Sequence, residues 1–426
     1  MNKFALRPLV AALVLSAPVM SAFATDGYFS HGYGMKAKGM GGAAVASTDN
    51  AFAGANNPAT SAWAGNRIEA GLDWFSPVRS ASRSSVMGGG QLDSELQSGK
   101  ESFFIPEFGY NKAHSDTVGY GVTVYGNGGM NTSYNPGDTF FGSGTMGVDL
   151  TQLIVAPTIA MKLDSNHSVG VSPLFVIQKI SIQGIQNFQQ DPRATNPGAM
   201  TNKGHDTSTG AGVRLGYLGK LSNQLNIGAS YSPKTKMSKF SDYAGMFAGE
   251  GGFDIPENYV VGLSFKATDS FSLALDYQKI NYGDVPSIAN TGASMNPFGS
   301  ANGAGFGWKS IGVVKLGAEW KYSPALTLRA GYNHSDNPID STQVTFNRLA
   351  PGVMTKHYTL GGTYTLTPTT EVTMAYMYAP TSSVSGNSLF NGAPTGNPQM
   401  PNLPTDIKET IRMKQQSLGI QFGWKF

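Results

Sequence analysis

The amino-acid sequence predicts an all-β protein: a transmembrane antiparallel β-barrel of about fourteen strands, with an N-terminal plug in its lumen. Three observations predict it. Runs of strict period-two alternation recur from residue 66 to the end of the chain, and the segments between them alternate between short links and long loops. Only 13% of the 426 residues are charged, roughly half the share usual in a soluble globular protein. Yet no apolar stretch approaches the roughly 18 residues that a transmembrane helix requires. A barrel reconciles the two, because lipid-facing and lumen-facing residues alternate and cancel in any hydropathy average.

Taken in order, the chain opens on an expected secretory signal, residues 1–24. Lys3 and Arg7 supply its positive end, an apolar core follows, and Ala22-Phe23-Ala24 places small residues at both recognition positions for signal peptidase. Cleavage there removes two of the positive charges and lowers the net charge from +3 to +1, which leaves no electrostatic footprint for nucleic acid. The absence of cysteine fits an oxidising compartment.

Residues 25–65 are rich in Gly, Ala and small polar residues, lack alternation, and contain one compact turn, Asn57-Pro58-Ala59. The segment is too long for a simple leader. It reads as a plug packed by close backbone approach, with a periplasmic tail as the alternative.

Residues 66–426 carry the strands. In the first, Ile68, Ala70, Leu72 and Trp74 share one face, and Arg67, Glu69, Gly71 and Asp73 the other. About fourteen such runs follow one another, among them Val118/Tyr120/Val122/Val124, Phe271/Leu273/Leu275/Tyr277 and Val372/Met374/Tyr376/Tyr378. The opposite faces hold Arg214, Asp276, Lys315, Glu319 and Arg329. Each would cost up to about 2–4 kcal/mol at the bilayer midplane, so these faces are expected to line a polar lumen. Trp74, Trp308, Trp320 and Trp424 suit interfacial girdles. Short links near residues 111–116, 164–167, 219–223, 267–269, 321–323 and 367–369 alternate with long loops. That is the asymmetry between periplasmic turns and extracellular loops. The chain ends with Leu418, Ile420, Phe422, Trp424 and Phe426 at every second position, which resembles the terminal signature of bacterial outer-membrane proteins read by the barrel assembly machinery.

The plug carries a more specific likeness. The run from Gly39 to Ala46, then Asp49-Asn50 and Asn57-Pro58-Ala59, resembles the amino-terminal hatch of FadL-type outer-membrane transporters, and Asp149-Leu150-Thr151-Gln152-Leu153 is similar to a strand segment of that family. The resemblance implies uptake of long-chain fatty acids, toluene or other hydrocarbons. Ligand would gather among extracellular loops, with Met246, Phe247, Phe253, Ile288, Met295, Phe298 and Phe306 as candidates. It would then enter a lumenal pocket above the hatch and leave sideways beside a distorted third strand. Lateral exit spares an apolar solute the aqueous periplasm.

Gly126, Gly128 and Gly129 are the candidates for that wall opening, though a glycine cluster also suits an ordinary loop start. A carboxylate ligand needs a basic partner in the lumen. Strand parity offers Arg214, Lys315 and Arg329, although a structural pairing with Glu319 or Asp276 across the lumen is the first expectation for each. Asn57, Pro58 and Ala59 are the gating candidates.

Other chemistries lack support. Gly32-Tyr33-Gly34-Met35-Lys36-Ala37 fits a loose dinucleotide fingerprint, but no βαβ unit surrounds it. The six histidines show no metal-ligand spacing, and no nucleophile motif stands out. The expected protein is therefore not an enzyme and carries no cofactor or metal. Its partners are a hydrophobic ligand, outer-membrane lipid and the assembly machinery, without nucleic acid, and it acts as a monomer. A general diffusion porin is the alternative function, opposed by the forty-odd residues before the first strand.

Overall fold

A computed structural model describes residues 26–190, 193–397 and 400–426, so the expected secretory signal lies outside the described residues. Fourteen long strands form the wall: β1 (Arg67–Ser84), β2 (Phe103–Ala113), β3 (Val118–Asn131), β4 (Gly147–Lys162), β5 (His167–Gln183), β6 (Asp206–Lys220), β7 (Leu225–Ser232), β8 (Asn258–Lys266), β9 (Phe271–Ile280), β10 (Ile311–Lys321), β11 (Leu326–Ser335), β12 (Lys356–Thr367), β13 (Thr370–Asn387) and β14 (Lys408–Lys425). Each pairs antiparallel with its sequence neighbour, and β14 pairs with β1 from Arg67↔Lys425 to Ser84↔Lys408, which closes the barrel. Two short strands, Ser94–Gln97 and Lys236–Met237, add to β1 and β6 near the long-loop end. Closure joins the first strand to the last, so neither end of the sheet is left as an edge.

Side-chain parity follows the alternation. Leu72, Phe104, Phe175, Leu360 and Phe422 are exposed on the outside, whereas Arg67, Glu69, Asp73, Arg214, Asp276, Lys315 and Arg329 are buried inside. Even strand number and uniform antiparallel pairing put all the short turns at one end and all the long loops at the other.

Two expectations change. The lumen is not polar throughout. Towards the long loops, the inner faces of β4 and β5 present Leu150, Ile154, Leu174, Val176, Ile180 and Ile182, all buried. There the long loops fold inward and fill the barrel with apolar side chains, so those strands are apolar on both faces. Trp308 is not in an interfacial girdle. It is 2% exposed, lies in an interior aromatic cluster beside Tyr28 and Tyr282, and donates from Nε1 to Asn347 Oδ1 at 2.6 Å. A tryptophan just before a strand has the same local pattern in either place; the inward path of its loop decides.

Candidate functional site

Residues 26–65 fill the polar half of the lumen. Their small side chains let the backbone approach the wall closely, and the wall hydrogen-bonds that backbone in return. Helix α1 (Met35–Gly39) begins where the Gly34 and Met35 N–H groups donate to Glu107 Oε2 and Gln421 Oε1, at 2.7 and 2.8 Å. These acceptors satisfy donors that a helix start leaves free. Asp276 Oδ2 takes the Ala44 and Val45 N–H groups, Glu69 Oε2 that of Ala51, and Thr359 Oγ1 that of Gly41.

Asn57 caps a short 3-10 helix, Pro58–Ala62, by accepting from the Ala59 N–H, with Pro58 where no N–H is missed. Its Nδ2 also donates to the carbonyls of Val45 and Tyr217, at 2.7 and 2.9 Å. The candidate turn Asn57, Pro58 and Ala59 thus ties two parts of the plug to the wall strand β6.

Charge pairs add to this. Lys38 Nζ lies 2.8 Å from Asp73 and 2.6 Å from Glu107, and Lys36 Nζ lies 2.7 Å from Glu371. Desolvated pairs of this kind hold geometry firmly, because removing one partner strands the other. The three basic candidates are engaged too. Arg214 donates to the Gly54 and Ala55 carbonyls and to Tyr125 Oη, Lys315 to the His31 carbonyl, and Arg329 to Glu319 and Thr363. Arg214 and Lys315 line one small lumenal pocket together with Asp276 and Gln278, while Arg329 belongs to the wall's own pairing. Lys36, Lys38, Glu107 and Glu371 were missed by sequence reasoning. Their signal was two lysines in a segment otherwise nearly free of charge.

The N-terminal end of the plug meets the wall at an interrupted ladder. Among the described residues the β2–β3 ladder runs from Ala113↔Gly119 to Phe108↔Val124 and stops, although β2 continues to Phe103 and β3 to Asn131. Pro106, in the unpaired part of β2, has no N–H to offer. On the other side of β3 the register with β4 slips between Gly126 and Gly128, which makes Asn127 a bulge residue. Residues 28–30 occupy the free edge of β3: the Gly129 N–H donates to the Tyr28 carbonyl, and the Ser30 N–H to the Asn127 carbonyl. A Cβ on Gly128 would fall on the Tyr28 carbonyl oxygen, so only glycine permits this contact. The candidates Gly126, Gly128 and Gly129 therefore sit at the bulge and beside the interrupted ladder.

At the long-loop end, Met246, Phe247, Phe298 and Phe306 line a small cavity with Ser287, Ala304, Gly305 and Phe346. Phe253 lies outside this lining and stacks edge-on against Phe247, with centroids 5.2 Å apart. Ile288 is buried nearby, whereas Met295 is 97% exposed. From Phe253 aromatic contact passes to Tyr28 of the plug and on to Tyr282 and Phe29. Tyr282 Oη accepts from the Tyr28 and Phe29 N–H groups and donates to the Asp26 carbonyl. One buried apolar cluster thus extends from the loop cavity to Phe103, Ile105, Tyr125 and Met130 at the interrupted ladder.

The plug also contains an opposed pair of titrating groups. Burial, and next the stacked His357 ring, hold His31 well below its ordinary 6.5. Burial raises Asp26 from 3.8 to about 6 despite Lys315. Undocked His31 binds the extra proton, so its contribution to docking is present above pH 6.5 and is lost on acidification. Docked Asp26 binds the extra proton, so its contribution is present below pH 3.8 and is lost as pH rises through about 6. Between about pH 4 and 6 the two offset. Hydrogen exchange of the plug amides is expected to show docking that weakens on acidification in Asp26→Asn and strengthens in His31→Gln. Equal slopes in the two variants would contradict the assignment.

Comparison with known proteins agrees with this architecture. Among solved structures, the toluene transporter TodX of Pseudomonas putida superposes with a TM-score of 0.68 at 17% identity, over 93% of this chain and 99% of that one. A FadL homologue of Pseudomonas aeruginosa gives 0.68 at 14% identity over 94% and 99%, and the toluene transporter TbuX of Ralstonia pickettii 0.63 at 18% over 93% and 99%. Identities this low speak for the fold alone. No curated protein matches the sequence. The model of one family, described as outer membrane protein transport protein (OMPP1/FadL/TodX), matches residues 11–407. The chain belongs to that family, whose members are transport channels of the outer membrane and not enzymes.

Proposed function

We propose that this barrel takes up hydrophobic small molecules, long-chain fatty acids or hydrocarbons such as toluene, past a movable hatch and out through its wall. The observation that carries the proposal is the continuous buried apolar cluster from the loop cavity to the interrupted β2–β3 ladder. A solute that enters among Met246, Phe247, Phe298 and Phe306 stays in apolar surroundings along this path. Each Å² kept from water is worth roughly 25 cal/mol.

Ligand seated in the cavity displaces Phe247 and Phe253 and so pushes on Tyr28. The Tyr28–Ser30 segment then leaves the edge of β3 and uncovers the slot between residues 103–107 and 125–131. Ligand shifts the hatch only by the amount that it binds the uncovered state better. The toluene transport named for the two solved relatives supports an apolar cargo.

The test is uptake of labelled toluene and oleate, beside a small sugar, by cells that lack other such channels and express this chain. Deletion of Asn127 removes the bulge from the β3–β4 pairing and straightens β3 alongside the unpaired part of β2. It should abolish apolar uptake while the barrel stays heat-modifiable on gels. Undiminished uptake would overturn lateral exit. Sugar passage without apolar preference would overturn hydrophobic transport and favour a diffusion porin.

A further inference from the structure

The outer face of the barrel changes character along β14. From Trp424 on, Phe422, Ile420 and Leu418 stand exposed at every second position. Gln416 ends this band, close to the roughly 9–11 residues that a tilted strand needs to cross a bilayer. At the register of Gln416 lie Tyr378 on β13, Tyr358 on β12 and Tyr332 on β11. Such a row of rings marks the edge of the hydrocarbon, where aromatic side chains settle. One step farther towards the long loops the outward residues are basic: His334, Lys356 and Lys414, then Arg412 and Lys408 on β14.

Short polar side chains flank these cations. Ser80, Ser82 and Ser84 on β1 oppose Arg412, Thr410 and Lys408, and Ser383, Ser385 and Asn387 oppose them from β13. Arg412 donates from Nη1 to Ser82 Oγ at 3.2 Å, and the Ser385 and Thr410 hydroxyls lie 2.8 Å apart. Elsewhere exposed lysines meet acids, as Lys239 meets Glu250 and Lys309 meets Asp340, whereas Lys356, Lys408, Arg412 and Lys414 are in no ion pair among the described residues. Of the acids at this end, Asp406 accepts from Ser85 and Met87, Asp336 accepts from the Gly312 N–H, and Glu95 lies beyond β1, opposite Ser82. Arg412 and Lys414, two positions apart on one face, stand about 7 Å from each other with no counter-charge between them.

We propose that the outer face of β12–β14 and β1 seats a phosphorylated glycolipid of the outer leaflet. Its phosphates meet Lys356, Lys408, Arg412 and Lys414, its sugar meets the flanking hydroxyls, and its acyl chains lie on the apolar band below. Position and charge select this occupant. The cations stand at head-group height, directly above the aromatic row, at the long-loop end that faces the cell exterior. Lysine supplies a point charge for phosphate, and arginine a fork that can donate two parallel hydrogen bonds to it. The serine hydroxyls between the cations suit the hydroxyls of a sugar, which a glycerol phosphodiester does not offer. The site belongs to the lipid-facing wall, so it is independent of what passes through the lumen.

The experiment titrates the purified full chain in detergent with lipid and reads the affinity by native mass spectrometry. The probes are diphosphorylated lipid A, its dephosphorylated form and phosphatidylglycerol. Wild type should prefer the diphosphorylated probe to the other two. Combined Lys408→Gln, Arg412→Gln and Lys414→Gln should weaken its binding about a hundredfold, since each cation near an anionic surface contributes about fivefold. Combined Lys408→Arg and Lys414→Arg should keep it. Lys179→Gln removes an exposed outward lysine at the long-loop end of β5 and should change nothing. Heat-modifiable mobility on gels shows that each barrel is folded; if the triple variant fails that check, Lys356→Gln carries the test, with a loss of about fivefold. Equal affinity in wild type and the cation-depleted variant, or an equal loss in Lys179→Gln, would overturn the proposal. Equal affinity for phosphatidylglycerol would overturn the assignment to a glycolipid. Wild type that binds none of the probes would overturn it too, and leave the cations to an acidic protein.

Discussion

Lys38→Met is expected to free the plug from the wall while the barrel stays closed. Lys38 is the cation between Asp73 on β1 and Glu107 on β2, at 2.8 and 2.6 Å, and all three groups are almost wholly buried. Without it, two desolvated carboxylates on neighbouring strands lose their shared counter-charge. Glu107 retains the Gly34 N–H, but Asp73 Oδ1 already has no hydrogen-bond partner. Breaking a buried pair from one side costs about 3–5 kcal/mol, and protonation of one carboxylate recovers part of that. The loss falls on docking, because the wall is held by its own ladders.

Hydrogen exchange over residues 26–65 should therefore rise sharply, heat-modifiable mobility should persist, and small polar solutes should begin to leak. Asp73→Asn and Glu107→Gln added to Lys38→Met should return much of the protection, since the stranded charges are then gone. Unchanged exchange in the single variant would show that backbone hydrogen bonds alone hold the plug.

Arg348→Met should open the cap of long loops. Arg83, Asp138, Arg348 and Glu409 form a closed, wholly buried box: Arg83 lies 2.6 Å from Asp138 and 3.2 Å from Glu409, and Arg348 2.8 and 3.1 Å from the same pair. It joins the far end of β1, the loop of residues 132–146, the loop of residues 336–355 and the start of β14. Two cations and two anions balance. Removing Arg348 leaves one arginine for two buried carboxylates, again at a cost of about 3–5 kcal/mol.

Phe346, two residues away, lines the loop cavity. The expected result is new proteolytic cleavage within residues 336–355 and weaker retention of toluene. Arg348→Lys should rescue poorly, because a single ammonium lacks the fork that spans both carboxylates. Protease resistance equal to wild type would show that the aromatic packing around Phe141, Phe188 and Phe346 closes the cap without the ionic box.

Local pattern reached far in this protein because a membrane barrel repeats one rule. Whether a strand residue faces lipid or lumen follows from its parity, and parity is visible in ten residues of sequence. Thus Leu72 and Phe104 lie outside and Asp73 and Glu107 inside. Of the seven loop candidates, Met246, Phe247, Phe298 and Phe306 meet at one cavity, whereas Phe253 and Ile288 lie outside its lining and Met295 is exposed, because loop paths are not written in local pattern. Parity fails where both faces are apolar, as in β4 and β5, and at Trp308, whose loop turns inward.

The sequence by itself determined the barrel, the number and order of its strands, the end on which the long loops lie, and the family resemblance of the plug. These depend on period-two alternation, link lengths and short motifs, all local properties of the chain. Only the tertiary structure decided which inward charges meet. Lys38 finds Glu107 across 69 positions and Arg83 finds Glu409 across 326; docking of the plug brings the first pair together, and barrel closure the second. The tertiary structure likewise decided that Arg214, Lys315 and Arg329 are occupied. An inward-facing arginine looks the same in sequence whether or not a partner waits for it, because that partner arrives from another strand, another loop or the plug.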